Sequence, residues 1–66
     1  MTTDDAMKYV DSHVEIFTAM MWEFDDDIFS LAEEIEEFFL GNFDLLGKNS
    51  YPDFEEIAIF LVENYG

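Results

Sequence analysis

The stretch that decides the fold is residues 28–40, with the sequence IFSLAEEIEEFFL. Its apolar residues recur at intervals of three and four, the spacing of one face of an α-helix: Ile28, Leu31, Ala32, Ile35, Phe38 and Phe39. The other face carries four glutamates: Glu33, Glu34, Glu36 and Glu37. We therefore predict a helix over residues 27–40 with Gly41 as its C-terminal stop. Ser30 and Glu33 match a capping box, so Ser30 is an alternative start.

The preceding segment, residues 4–24, shows the same spacing. Its apolar stripe consists of Met7, Val10, Val14, Phe17 and Met21, widened by Ala6, His13, Met20 and Phe24. The opposite side is polar, with Asp11, Ser12, Glu15 and Thr18. Thr3 is a suitable N-cap, since its hydroxyl can accept from an unpaired N–H of the first turn. We predict one helix over residues 4–24.

A third helix is predicted over residues 51–65. Ser50 is its expected cap and Pro52 lies in its first turn. Its inner face carries Phe54, Ile57, Ala58, Leu61, Val62 and Tyr65. A strand over residues 57–62 is the alternative, because that run is apolar and partly β-branched, but length and three preceding acids favour helix. Three helices with short connections predict an all-α, three-helix bundle forming a single domain over residues 1–66.

The composition restricts the function classes. The 66 residues include 17 Asp and Glu but only two Lys, for a net charge of -15. Such a chain lacks the clustered cations that nucleic acids and anionic membranes require. With 18% aromatic residues, intrinsic disorder is disfavoured. The longest apolar run has six residues and the first 15 residues carry four acids, so we expect neither a membrane span nor a signal peptide, and a cytoplasmic protein.

No catalytic or metal-binding signature is complete. The chain has no Cys, so the sequence His13-Val14-Glu15 lacks the cysteine half of a zinc-deaminase signature. The glycines before Lys48 are misspaced for a phosphate-binding loop. Calcium-loop frames starting at Asp25 or Asn42 each fail at a ligand position. We therefore expect no enzymatic activity, no cofactor and no metal.

The carboxylates are the remaining candidates for a functional site. Glu33 and Glu37 lie one helical turn apart, about 6 Å at 1.5 Å per residue, close to two 3.4 Å steps of a DNA strand. A rigid array with this spacing could occupy a cationic groove built for a phosphate backbone. The predicted partner-binding residues are Asp25, Asp26, Asp27, Glu33, Glu34, Glu36 and Glu37, followed by Asp53, Glu55 and Glu56.

In size, charge and aromatic content, the whole chain resembles the small acidic inhibitors of phages and mobile elements, including anti-CRISPR proteins and DNA mimics. These proteins share no motif, so no residue role is carried over by alignment. The resemblance implies a non-enzymatic inhibitor, acting in the cytoplasm as a monomer or homodimer. It would block the DNA-binding or PAM-reading (protospacer-adjacent-motif) groove of a host defence nuclease, such as a CRISPR effector complex.

Two alternatives of other classes stay open. One is an interaction module, or a homodimer, that recognises its partner through exposed apolar residues such as Met21, Trp22, Ile59 and Phe60. The other is a small protein of a salt-adapted cell, whose acidic surface keeps it soluble in concentrated salt.

Overall fold

The computed structural model describes residues 1–25, 27–45 and 51–66. In these ranges the chain forms four α-helices and no strand: α1 (Thr3–Ser12), α2 (Val14–Glu23), α3 (Ile28–Asn42) and α4 (Phe54–Tyr65). The prediction of an all-helical bundle is confirmed. The alternative strand over residues 57–62 is wrong, because that run lies inside α4. None of the helices in the described ranges is long and apolar enough to cross a membrane.

The helix predicted over residues 4–24 is two helices, so the predicted count of three was wrong. His13 separates them with φ -128° and ψ 42°, outside the α region. Its N–H is shared between the carbonyls of Tyr9 and Val10, at 3.0 and 3.2 Å. Its imidazole Nδ1 lies 3.0 Å from the Tyr9 carbonyl oxygen. Its ring stacks on the Tyr9 ring, with the two ring centroids 4.1 Å apart. These contacts stabilise the break.

The ends of α1 and α3 also differ from the prediction. Thr2 rather than Thr3 caps α1, because the Thr2 hydroxyl accepts the Asp5 N–H at 3.1 Å. Asp27 caps α3, so this helix begins at Ile28 and not at Ser30. It continues through Gly41 to Asn42, and the expected stop at Gly41 was therefore wrong.

The start of α4 lies three residues after the predicted start. Tyr51 precedes Pro52, and a proline disfavours the α conformation of the residue before it. Asp53 caps the helix instead, since its carboxylate accepts the Glu56 N–H at 3.2 Å. The predicted cap, Ser50, lies outside the described residues.

Hydrogen bonds join α1 and α4 at both ends. The Asp53 N–H donates to the Thr3 hydroxyl at 3.0 Å, which connects the starts of the two helices. The Tyr65 hydroxyl donates to the Asp11 carboxylate at 3.1 Å, which connects their ends. The two helices therefore run parallel. α4 also packs against α2 and, most extensively, against α3.

The core consists of side chains from all four helices and the segment after α3: Ala6, Val10, Phe17, Met21, Leu31, Ala32, Ile35, Phe39, Leu45, Phe54, Ile57, Ala58 and Leu61. Phe39 lies at its centre and is fully buried. Its ring centroid is 5.4–6.0 Å from those of five other rings: Tyr9, Phe17, Phe38, Phe43 and Phe54. This aromatic cluster joins α1, α2, α3 and α4.

Several predicted faces were wrong in detail. His13 and Tyr65, expected on inner faces, are exposed. Thr18, expected on the polar side, is buried, and its hydroxyl donates to the Glu15 carbonyl at 3.3 Å. Met21, named for an exposed interface, is fully buried because it lies one turn from buried Phe17.

Replacing Phe39 should destabilise the bundle more than any exposed aromatic substitution. We expect Phe39→Ala to lower the free energy of unfolding by about 3–5 kcal/mol, because the cavity lies where the helices meet. Phe39→Leu should cost about 1–2 kcal/mol and keep the protein folded. Urea unfolding followed by circular dichroism measures both. The control is Phe29→Ala, since Phe29 is 74% exposed; an equal loss in that variant would contradict the central role of Phe39.

Salt should stabilise the folded state. The charge screening length is about 30 Å at 0.01 M ionic strength and about 3 Å at 1 M, and the molecule measures 32 × 19 × 17 Å. At low salt, carboxylates on all sides therefore repel one another. We expect the urea midpoint to rise with sodium chloride, while the helical signal is already present in dilute buffer. A helical signal that forms only at high salt would favour the salt-adapted alternative.

Candidate functional site

α3 positions most of the predicted site residues. Its inner face is anchored by Leu31, Ile35 and Phe39, each fully buried. Its outer face presents Glu33 and Glu37 as exposed side chains, while those of Glu34 and Glu36 are half-buried. Because the inner face is packed, the backbone that carries these glutamates is fixed.

The start of α4 carries a second group of predicted carboxylates. Asp53, Glu55 and Glu56 are all exposed. Acidic side chains in the first turn of a helix interact favourably with its positive end. The Asp53–Thr3 and Asp53–Glu56 hydrogen bonds fix the position of this turn.

An open cleft of about 490 Å³ lies between α3 and the segment 51–55. It brings together four of the predicted acidic residues, namely Glu33, Glu36, Asp53 and Glu55, with the aromatic side chains of Phe29 and Tyr51. We call this the aromatic–acidic cleft. Its acids come from two helices separated in sequence, so the cleft is a product of the tertiary fold.

A second depression, of about 210 Å³, lies on the other side of the α3 glutamates. It is lined by Phe24, Ser30, Glu33, Glu34 and Glu37. Glu33 borders both features. The outer face of α3 is therefore a ridge of carboxylates between two concave surfaces.

Of the remaining predicted residues, Asp25, Asp27 and Glu56 line neither of these two surfaces. Asp25 is exposed with φ 53°, in the left-handed region, and Asp26 lies outside the described residues. The Asp27 carboxylate caps α3 by accepting the N–H groups of Phe29 and Ser30 at 3.1 and 3.4 Å.

Two aromatic residues of the cleft were not among the predicted site residues. Phe29 is 74% exposed and Tyr51 is 48% exposed. Phe29 lies next to Ile28 but off the apolar stripe of α3. An aromatic residue at such a position is expected to be exposed, and this signal could have identified Phe29 as a candidate surface residue. No comparable signal marked Tyr51, whose place in the cleft depends on how the segment before α4 packs against α3.

The Tyr51 hydroxyl donates to the Glu36 carboxylate at 2.7 Å. This hydrogen bond is the main cause that raises the pKa of Tyr51 above its ordinary value, with desolvation and the Glu36 charge adding to it. The bond satisfies a carboxylate oxygen without neutralising its charge.

No group of three or more potential metal-ligating side chains in the described ranges could hold a metal ion. Comparisons with protein-family models, curated proteins and solved structures found no match to this chain. The basis for proposing a function is therefore the geometry and charge of the acidic surface.

The Tyr51–Glu36 hydrogen bond predicts that the stability of the folded state depends on pH in the alkaline range. Because the folded pKa of Tyr51 is raised, its contribution to stability is complete below the ordinary tyrosine pKa of about 10 and is lost as pH rises through the higher folded value. We expect the absorbance titration of the native protein, minus that of Tyr51→Phe, to show a late tyrosinate transition. Glu36→Ala should shift that transition back toward about 10. A transition unaffected by Glu36→Ala would contradict the bond.

Proposed function

We propose that this protein is a non-enzymatic inhibitor that mimics the charge of a nucleic acid and occludes a cationic groove of a nucleic-acid-binding protein. The DNA-binding or PAM-reading groove of a host defence nuclease, such as a CRISPR effector complex, is the proposed target. The proposal implies a cytoplasmic site of action in an infected or host cell.

The observation that carries this proposal is the convergence of carboxylates from α3 and α4 on one surface. Glu33, Glu36, Asp53 and Glu55 surround a single cleft, and Glu37 lies one turn beyond Glu33 on α3. The grooves of nucleic-acid-binding proteins bind phosphates through clustered Lys and Arg, and counterions of the nucleic acid are released on binding. An array of carboxylates carried by a fixed backbone offers such a groove a similar charge pattern.

The scarcity of cations keeps this surface negative. The chain has two lysines for 17 carboxylate side chains, so most of its acids have no lysine with which to pair. Lys8 lies exposed on α1 and lines neither the cleft nor the second depression. Within the described ranges no lysine lines this surface, which supports its availability to the cations of a partner.

Removing charge from the outer face of α3 should weaken partner binding more than removing the same amount of charge elsewhere on the protein. Glu33→Gln/Glu37→Gln takes two exposed charges from α3, and Glu15→Gln/Glu63→Gln takes two exposed charges from α2 and α4. We expect about a tenfold loss of affinity for the first variant and a much smaller loss for the second, because the position of the charges determines binding.

The measurement begins with capture from nuclease-treated extract of the source cell on the immobilised native protein at low salt. Captured proteins are eluted with duplex DNA, and the affinity of each purified candidate for the native protein and both variants is then measured. DNA-displaceable binding that is weakened selectively by Glu33→Gln/Glu37→Gln supports the proposal. Failure of DNA to displace the partner, or equal losses in both variants, overturns it.

Exposed apolar residues favour the interaction module as a second candidate function. Trp22 is 68% exposed on α2 and Ile59 is 43% exposed on α4, while Phe60 is half-buried. Association through acids weakens as salt rises, whereas association through apolar groups persists or strengthens in salting-out salts. The salt dependence of partner binding therefore separates the two candidates.

A further inference from the structure

The aromatic side chains of the aromatic–acidic cleft give it a chemistry that carboxylates alone do not have. Tyr51 is held in place by its 2.7 Å bond to Glu36 and by an edge-on contact with the Phe54 ring, with centroids 5.6 Å apart and an 80° interplanar angle. Phe29 is 74% exposed in the first turn of α3. The cleft therefore combines a fixed aromatic ring with a strongly exposed one.

The acidic side chains of the cleft differ in how they are engaged. Glu36 accepts the Tyr51 hydroxyl and Asp53 accepts the Glu56 N–H. Glu33 and Glu55 are exposed at the cleft. These two carboxylates are the ones best placed to receive a charged donor from a partner.

The combination of aromatic rings and carboxylates selects one kind of cation. A guanidinium is planar, stacks on aromatic faces and pairs with a carboxylate through two parallel hydrogen bonds. An ammonium is a compact and strongly hydrated charge that lacks this planar complementarity.

We infer that the aromatic–acidic cleft binds an arginine side chain of the partner protein, with the guanidinium stacked on an aromatic ring and paired with Glu33 or Glu55. This inference deepens the proposed function and rests on it. A second copy of the chain is excluded as the donor, because the sequence contains no arginine and carries a net charge of -15.

The test compares two capped, glycine-spaced peptides of equal charge, one with arginines and one with lysines, by calorimetric titration at fixed salt. We expect the native protein to bind the arginine peptide about fivefold more tightly, as a stacked guanidinium contributes about 1 kcal/mol. Phe29→Ala should reduce this preference toward one and leave the affinity for the lysine peptide unchanged. The matched control is Trp22→Ala, which removes a 68% exposed ring from α2.

Equal affinity of the native protein for the two peptides overturns the inference, as does an equal loss of preference in Trp22→Ala and Phe29→Ala. The outcome is separable from that of the proposed function. If DNA-displaceable partner binding is observed without an arginine preference, only the inference about the cleft fails. If the preference is observed without DNA-displaceable binding, the cleft binds arginine and the nucleic-acid mimic is wrong.

Discussion

The ring packing around Phe39 is the interaction on which the rest of the structure depends. Tyr9 from α1, Phe17 from α2 and Phe54 from α4 each contact this one side chain of α3. Aromatic pairs contribute about 0.5–1.5 kcal/mol beyond the burial of their surface, and the burial itself is large for rings. In a chain that carries 15 excess negative charges, this apolar attraction opposes repulsion over the whole surface. The backbone that carries the outer glutamates keeps a fixed position because the inner face of the same helix is held by the cluster.

Four carboxylates in the described ranges accept hydrogen bonds from neutral donors, which leave their charge in place. Tyr51 and Tyr65 donate hydroxyls to Glu36 and Asp11, and backbone N–H groups at the starts of α3 and α4 donate to Asp27 and Asp53. A lysine in any of these places would give a similar local bond but would cancel a charge. Neutral donors fix individual carboxylates and keep the negative potential of the surface. Local order and strong net charge are therefore compatible in this fold.

Helical spacing in the sequence was enough to predict the all-helical class and most of the core, but it did not reveal the break at His13. Val10 and Phe17 are seven residues apart, so the apolar stripe continues in register across the break, although His13 itself leaves the helical conformation. The late start of α4 had a visible signal in Pro52. The cleft had none, because its walls meet only when Phe54 packs on Phe39 and brings Tyr51 beside Glu36. Sequence patterns report periodicity along the chain, whereas this cleft depends on contacts between helices.

The exposed rings of the cleft argue against solubility as the whole explanation of the acidic surface. A surface that only needed to be soluble would keep aromatic side chains away from water, yet Phe29 is 74% exposed beside the carboxylates of α3. An exposed ring contributes little to the packing of the core. Its apolar surface stays in contact with water, which is unfavourable, and the neighbouring charges do not offset that cost. Exposed aromatic side chains beside fixed carboxylates match the two requirements of a guanidinium, a flat apolar face and a paired anion. The same arrangement joins the charge of the surface to a specific shape, and that combination supports the proposal of a recognition surface over that of a generally acidic one.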